Sequence, residues 1–125
     1  MMTSVVDLLA EASRLNDTWF PRVVGRVNDH LVKVAKLQGQ LVWHDHARQD
    51  EMFLVLAGEL RIELEGQAPI RLTSGQMFVV PRGLRHNPVA EQECLIALFE
   101  PADTAHTGDI ADSRSRTLAE QMRAE

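Results

Sequence analysis

The chain has 125 residues, of which 45% are hydrophobic and 25% charged, the balance of one folded domain rather than of a disordered or collagen-like polymer. Thirteen basic against eighteen acidic side chains give a formal charge of -5, so there is no basic excess with which to meet nucleic acid. No apolar run approaches the roughly 18 residues of a membrane span, Cys94 has no second cysteine to pair with, and Asp7 and Glu11 interrupt the N-terminal apolar residues, which is unlike a signal peptide; the expectation is a cytoplasmic protein with neither nucleic acid nor membrane as partner.

Residues 3–15 carry Val5, Leu8, Leu9, Ala12 and Leu15 at helical spacing, with Thr3 or Ser4 placed to cap and Asp7 suited to the positive end of the dipole. They predict an amphipathic helix within an N-terminal segment over 1–18. From Trp19 the texture changes. Short apolar runs at 19–27, 31–37, 40–46, 51–57, 60–64, 70–72, 76–80 and 93–99 alternate with the turn signals Asn28-Asp29, Gly39, Gly58, Glu65-Gly66, Ser74-Gly75, Pro81 with Gly83, and Pro101. Many short strands at near-regular spacing predict an all-β sandwich or barrel over 19–101.

Leu60, Ile62 and Leu64 alternate with Arg61 and Glu63, so that strand has one wet face, whereas residues 52–57 are apolar on both. The second apolar face calls for a cover, either the N-terminal helix or a second copy of the chain, and a homodimer is the expectation. After Pro101 the chain turns polar; Leu118 and Met122 sit in what is either a short closing helix or a frayed tail within 102–125.

Of five histidines, three are placed for chelation. His44 and His46 lie two apart in the run at 40–46, and on a strand that spacing puts both imidazoles on one face. Glu51 opens the following run and can supply a carboxylate. A Gly turn at Gly75, an apolar strand and a Pro81-Arg82-Gly83 corner then lead to His86, a third imidazole from a different strand. By contrast, His30 beside the Asn28-Asp29 turn and His106 in the polar C-terminal stretch read as solvated loop residues. Cys94 reads as a small buried hydrophobe.

These residues resemble both motifs of the cupin family. The first, Gly, then His-x-His, three or four residues, Glu, six residues, Gly, is met by Gly39, His44, His46, Glu51 and Gly58. The second, Gly, five residues, Pro-x-Gly, two residues, His, is met by Gly75, Pro81, Gly83 and His86. Gly39 lies one residue nearer to His44 than is usual in the family, and Ala90 replaces a frequent Asn. The resemblance implies a double-stranded β-helix, the jelly-roll barrel of the cupins. It also implies that His44, His46, Glu51 and His86 converge inside the barrel on one divalent transition metal, with Fe, Mn, Ni, Cu, Co and Zn all suited to such a donor set. An octahedral ion held by four ligands keeps two positions for a small-molecule ligand.

Strand parity places Gln40 and Val42 beside His44; Phe53, Val55 and Ala57 beside Glu51; and Phe78 and Val80 on the run to His86. Cys94, Ile96 and Leu98, or their neighbours Leu95, Ala97 and Phe99, face inward from the last strand. That makes an apolar wall over a polar floor, with Arg48, Arg82 and Arg85 as cationic candidates at the mouth. The chain has no tyrosine, which disfavours an epimerase built on a His–Tyr pair. Two functions remain open: a metal-dependent enzyme such as an oxygenase, isomerase or lyase, or a non-catalytic ligand-binding, sensor or structural cupin dimer.

Overall fold

The computed structural model describes residues 4–123. In chain order its elements are α1 (Leu8–Ser13), β1 (Arg22–Val27), β2 (His30–Gln40), β3 (Glu51–Ala57), β4 (Glu59–Leu64), β5 (Ile70–Thr73), β6 (Met77–Val80), β7 (His86–Pro101) and α2 (Leu118–Met122). All pairings between named strands are antiparallel.

The sixteen-residue β7 is the spine. Its second half pairs with β2 on one side and β3 on the other. Its first half pairs with the end of β2 and with β4. Extended β-branched and aliphatic residues on both faces of β7 let it serve three partners at once, which is how one strand can close a small barrel. β1 and β6 complete the path β1-β2-β7-β3-β6, with β5 paired to β4.

Alternation decides what goes inside. Leu60, Ile62 and Leu64 of β4 are buried and join Trp19, Leu37, Phe53, Val55 and Ile96 in the main core. A smaller cluster forms on the outside, where Ala12 and Leu15 pack on Val34, Leu95, Leu56 and Ala57. The N-terminal helix therefore covers part of the second apolar face of β3. Cys94, Ile96 and Leu98 face the main core, and Leu95 faces α1. Ala57 turns to the helix side because the β3–β7 register slips between Val55 and Ala57.

Several sequence expectations are corrected. The first helix is short: Asp7 caps it by accepting from the Ala10 backbone N–H at 3.0 Å, so helix geometry begins only after Asp7. Ser4 lies ahead of it without helical structure, and Thr3 is outside the described residues. The runs at 31–37 and 40–46 are not two strands separated by a turn at Gly39. β2 continues through Gly39 to Gln40, absorbing the irregularity as a register shift between Leu37 and Gly39 against β7. Gln40 is exposed, and its side chain accepts from the Asn87 amide at 3.1 Å. Ala90 is buried in β7 rather than in a turn. The last run starts at His86, well before the expected residue 93.

Residues 102–117 are ordered, not frayed. They cross the molecule and are tied by Arg114, whose guanidinium donates to the Gln40 and Leu41 carbonyls at 2.5 and 2.9 Å. Thr117 then caps α2 in a reciprocal box with Glu120. No helix among the described residues is long and apolar enough to cross a membrane.

At the β3–β4 turn, Gly58 has φ +95°, and a Cβ there would lie 2.9 Å from the Glu93 carbonyl oxygen. Gly58→Ala therefore combines a left-handed backbone with a backbone clash. It is expected to cost about 1–3 kcal/mol, read as a lower urea midpoint with an unchanged slope; an unchanged midpoint contradicts the assignment of strain to this turn.

Candidate metal centre

Four side chains from three separate parts of the chain meet inside the barrel. Glu51 is the first residue of β3 and His86 the first of β7. His44 and His46 come from the link between β2 and β3, so the expected strand carrying both is absent. His44 instead makes an isolated bridge to His86, with N–H to carbonyl distances of 2.9 and 2.8 Å in the two directions. That bridge holds two of the imidazoles side by side, their ring centroids 4.5 Å apart. His46 follows two residues later and its ring sits 5.0 Å from that of His44.

All four residues are buried, and one ligand atom from each lies within 4.8 Å of the others. The Nδ1 atoms of His44 and His86 lie 2.8 and 2.9 Å from the Val42 and Leu84 carbonyls. A carbonyl accepts only, so each Nδ1 carries the proton and each Nε2 presents a lone pair. His46 Nε2 and His86 Nε2 both stand 3.4 Å from Glu51 Oε1, and all three atoms are buried without a hydrogen-bond partner. Buried polar atoms are seldom left so. Converging lone pairs of nitrogen and carboxylate oxygen, with tautomers fixed from behind by carbonyls, fit a divalent transition metal.

Electrostatics prepares the same donors. Burial, reinforced by His86, lowers the pKa of His44 to about 4, leaving it neutral at pH 7. For Glu51, burial opposes the charge, but the close approach of His46, His86 and Glu100 outweighs it and holds the carboxyl well below its usual range. Glu100 moves the other way, raised by burial and by the Glu51 charge and only partly relieved by Lys33.

Sequence reasoning missed this second layer. Lys33 and Glu100 are buried, with Nζ 2.8 Å from Glu100 Oε2 and 2.6 Å from the side-chain oxygen of Gln121. A signal existed: Lys33 shares inward parity with Leu31, Ala35 and Leu37 on β2, where a charged residue demands a partner.

The two remaining histidines also differ from expectation. His30 opens β2 and stacks on Phe99 at 4.9 Å. His106 is not solvated; it is half-buried, its Nδ1 accepts the Arg116 backbone N–H at 3.0 Å, and burial lowers its pKa to about 4. It lines an interior cavity of about 30 Å³ together with His44, Glu51, Phe53, Trp19 and Leu98. Of the three arginines, Arg48 borders an outer groove beside His46, while Arg82 and Arg85 are exposed and Arg85 lies over the Trp43 ring at 5.8 Å. Cys94 is buried and its thiol is pushed up to about 11 by burial, so it is no nucleophile.

The barrel and the buried His-His-Glu-His cluster together define a cupin, a class whose ligands converge inside a jelly roll. The cupin-domain profile matches residues 30–99, and the chain belongs to that family. It is 33% identical over 85 residues to the uncharacterized protein YdbB of Bacillus subtilis (strain 168), spanning 68% of this chain and 75% of that one. A cupin-2 domain containing protein from Shewanella frigidimarina NCIMB 400 is 41% identical, with a TM-score of 0.74 over 78% of this chain and 94% of that one. The hydroquinone 1,2-dioxygenase of Sphingomonas sp. TTNP3 shares the fold, at 24% identity and a TM-score of 0.70, over 77% of this chain and 31% of that one.

The depressed histidines make a pH prediction for the metal-free protein. Above pH 6.5 neither state binds the proton. Between 6.5 and about 4 the unfolded chain takes up a proton that buried His44 and His106 refuse, so stability falls as pH falls. The expected loss by pH 4 is about 3 kcal/mol for each histidine, on the order of 6 kcal/mol for the two, measured as urea midpoints of chelator-treated protein; equal midpoints at pH 7 and pH 4.5 contradict it.

Proposed function

We propose that this cupin binds one divalent transition metal through His44, His46, Glu51 and His86, and a small molecule beside it. The observation that carries the reading is the set of orphaned atoms: His46 Nε2, His86 Nε2 and Glu51 Oε1 converge, buried, without partners. Fe, Mn, Ni, Cu, Co and Zn all accept three imidazoles and a carboxylate. Three neutral imidazoles and one carboxylate leave such a centre near +1. When bound, an ion of this kind supplies Lewis-acid or redox chemistry to a chelating ligand.

The chain's own residues do the rest. The Val42 and Leu84 carbonyls orient His44 and His86. Phe53, Leu37 and Ile96 keep the floor of the barrel dry, which strengthens electrostatic contacts at the centre. Lys33 and Glu100 back the Glu51 carboxylate from the barrel side. The reading covers a metal-dependent enzyme and a ligand-binding cupin alike, because both need these donors. A lone, buried thiol fits a reducing cytoplasm.

We also infer a homodimer. On the outer face, Met52 and Leu54 of β3 are half-buried beside Met77 and Val79 of β6, which are 49% and 42% exposed. This apolar patch borders the free edge of β6 and fits a second copy of the chain. Sedimentation at micromolar protein is expected to give twice the chain mass; a monomer contradicts it.

Metal content by mass spectrometry on tag-free protein tests the centre. About one transition-metal ion per chain is expected, lost in a folded His44→Ala/His86→Ala variant. A wild type that stays empty and refuses added metal contradicts the reading.

A further inference from the structure

The family profile ends at residue 99, yet the barrel is not complete there. Residues 102–117 return over the link that carries His44 and His46. Gly108, at φ +58°, packs so closely on the Asp45 backbone that any side chain there would run into the Asp45 carbonyl. Asp45 lies between the two histidines, so the strap is seated on the metal-ligand link itself. It is held at its far end by Arg114 on the Gln40 and Leu41 carbonyls, by the Arg116 guanidinium over the Phe20 ring at 4.5 Å, and by Gln121, which accepts from the buried Lys33. The Gln121 amide also donates to the Arg116 carbonyl at 2.9 Å.

What this strap brings to the barrel is His106. His106 is among the residues that line both the cavity of about 30 Å³, shared with His44 and Glu51, and an open basin of about 600 Å³ formed by the strap and α2. It therefore stands between solvent and the centre. Because Nδ1 accepts the Arg116 N–H, the neutral ring carries its proton on Nε2. Other N–H groups around the cavity are committed: the Trp19 indole donates to the Gln38 carbonyl at 2.8 Å, and His44 Nδ1 to Val42. Lys33, in the layer behind, donates to Glu100 and Gln121. His106 Nε2 has no hydrogen-bond partner among the described residues and lies outside the cluster of four donors. The cavity holds about two waters' worth of space, so the matching ligand is a small one of two or three heavy atoms.

We propose that His106, delivered by the C-terminal strap, binds ligand in this site: its Nε2–H donates a hydrogen bond to the outer oxygen or nitrogen of a small acceptor held at the His44–His46–Glu51–His86 centre. The inference rests on the metal reading above. A donor fixed in a dry site acts on the charge of the bound ligand without reorganising, and the strap makes its presence conditional on closure over Asp45.

Azide is the probe, with Co(II)-loaded wild type, His106→Phe and His106→Gln titrated by visible absorption. Phe keeps the volume and loses the donor; the Gln amide can accept from Arg116 and still donate. All three are expected to fold and to hold one Co(II) per chain, the Phe variant melting lower because the Arg116 N–H loses its acceptor, with azide bound about tenfold more weakly by the Phe variant and regained by the Gln variant. A fully loaded Phe variant that binds azide as tightly as wild type overturns the role of His106 while leaving the metal centre standing. A Gln variant as weak as Phe overturns it too. A second readout needs no variant: in Zn(II)-loaded wild type the His106 Nε2–H proton resonance is expected to move downfield with azide, and an unmoved resonance at saturation counts against the contact. Wild type that takes up no Co(II) overturns the metal reading and this inference together; wild type that takes up Co(II) and ignores azide overturns this inference and leaves the metal reading standing.

Discussion

The structure turns on desolvation of four donors at one point. Three imidazoles and a carboxylate are taken out of water inside an apolar barrel, where an unpaired charge is costly. Each feature around them reduces that cost or makes use of it. The carbonyls of Val42 and Leu84 take the outward protons of His44 and His86, so the rings enter the core neutral with their lone pairs inward. Glu51 is held well below the usual carboxylate range despite its burial, with His46, His86 and Glu100 beside it. The same dryness strengthens any contact that these four side chains make with a cation.

β7 is what brings these donors together. A strand that begins with His86, pairs with β4 and the end of β2, then continues between β2 and β3 ties the second histidine motif to Glu51 through backbone hydrogen bonds. The isolated bridge between His44 and His86 extends that ladder by one residue pair. The donors are thus positioned by main-chain geometry, with little left to side-chain flexibility. Behind them, Lys33 links Glu100 on β7 to Gln121 on α2. A buried cation shared between barrel and C-terminal helix couples the seating of the strap to the layer that backs Glu51.

Much of this was legible in residue order. The spacing of His44, His46, Glu51 and His86 identifies the donors whatever the local secondary structure, since they meet even though the strand expected over 40–46 is absent. The tight β3–β4 turn, the inward set on β4 and the buried Cys94 follow from period-two alternation and from Gly58. The strand boundaries were less legible. Gly39 reads as a turn in isolation, but the partner strand carries the chain through it as an irregularity. The length of β7 is likewise decided by its partners, because Asn87, Pro88 and Glu91 through Glu93 carry no strand signal of their own.

By itself, then, the sequence determined the family, the quartet of His44, His46, Glu51 and His86 and an all-β barrel preceded by a short helix, because each rests on local spacing that survives small errors in register; it left the C-terminal segment open between a short helix and a tail. Only the tertiary structure decided what lies in the second layer. Lys33 meets Glu100 across 67 positions and Gln121 across 88, and His106 reaches the cavity only because Gly108 lets the strap lie on Asp45. Such contacts depend on where distant segments pack, and no local pattern in a polar tail distinguishes a solvated histidine from one carried back to the centre of the barrel.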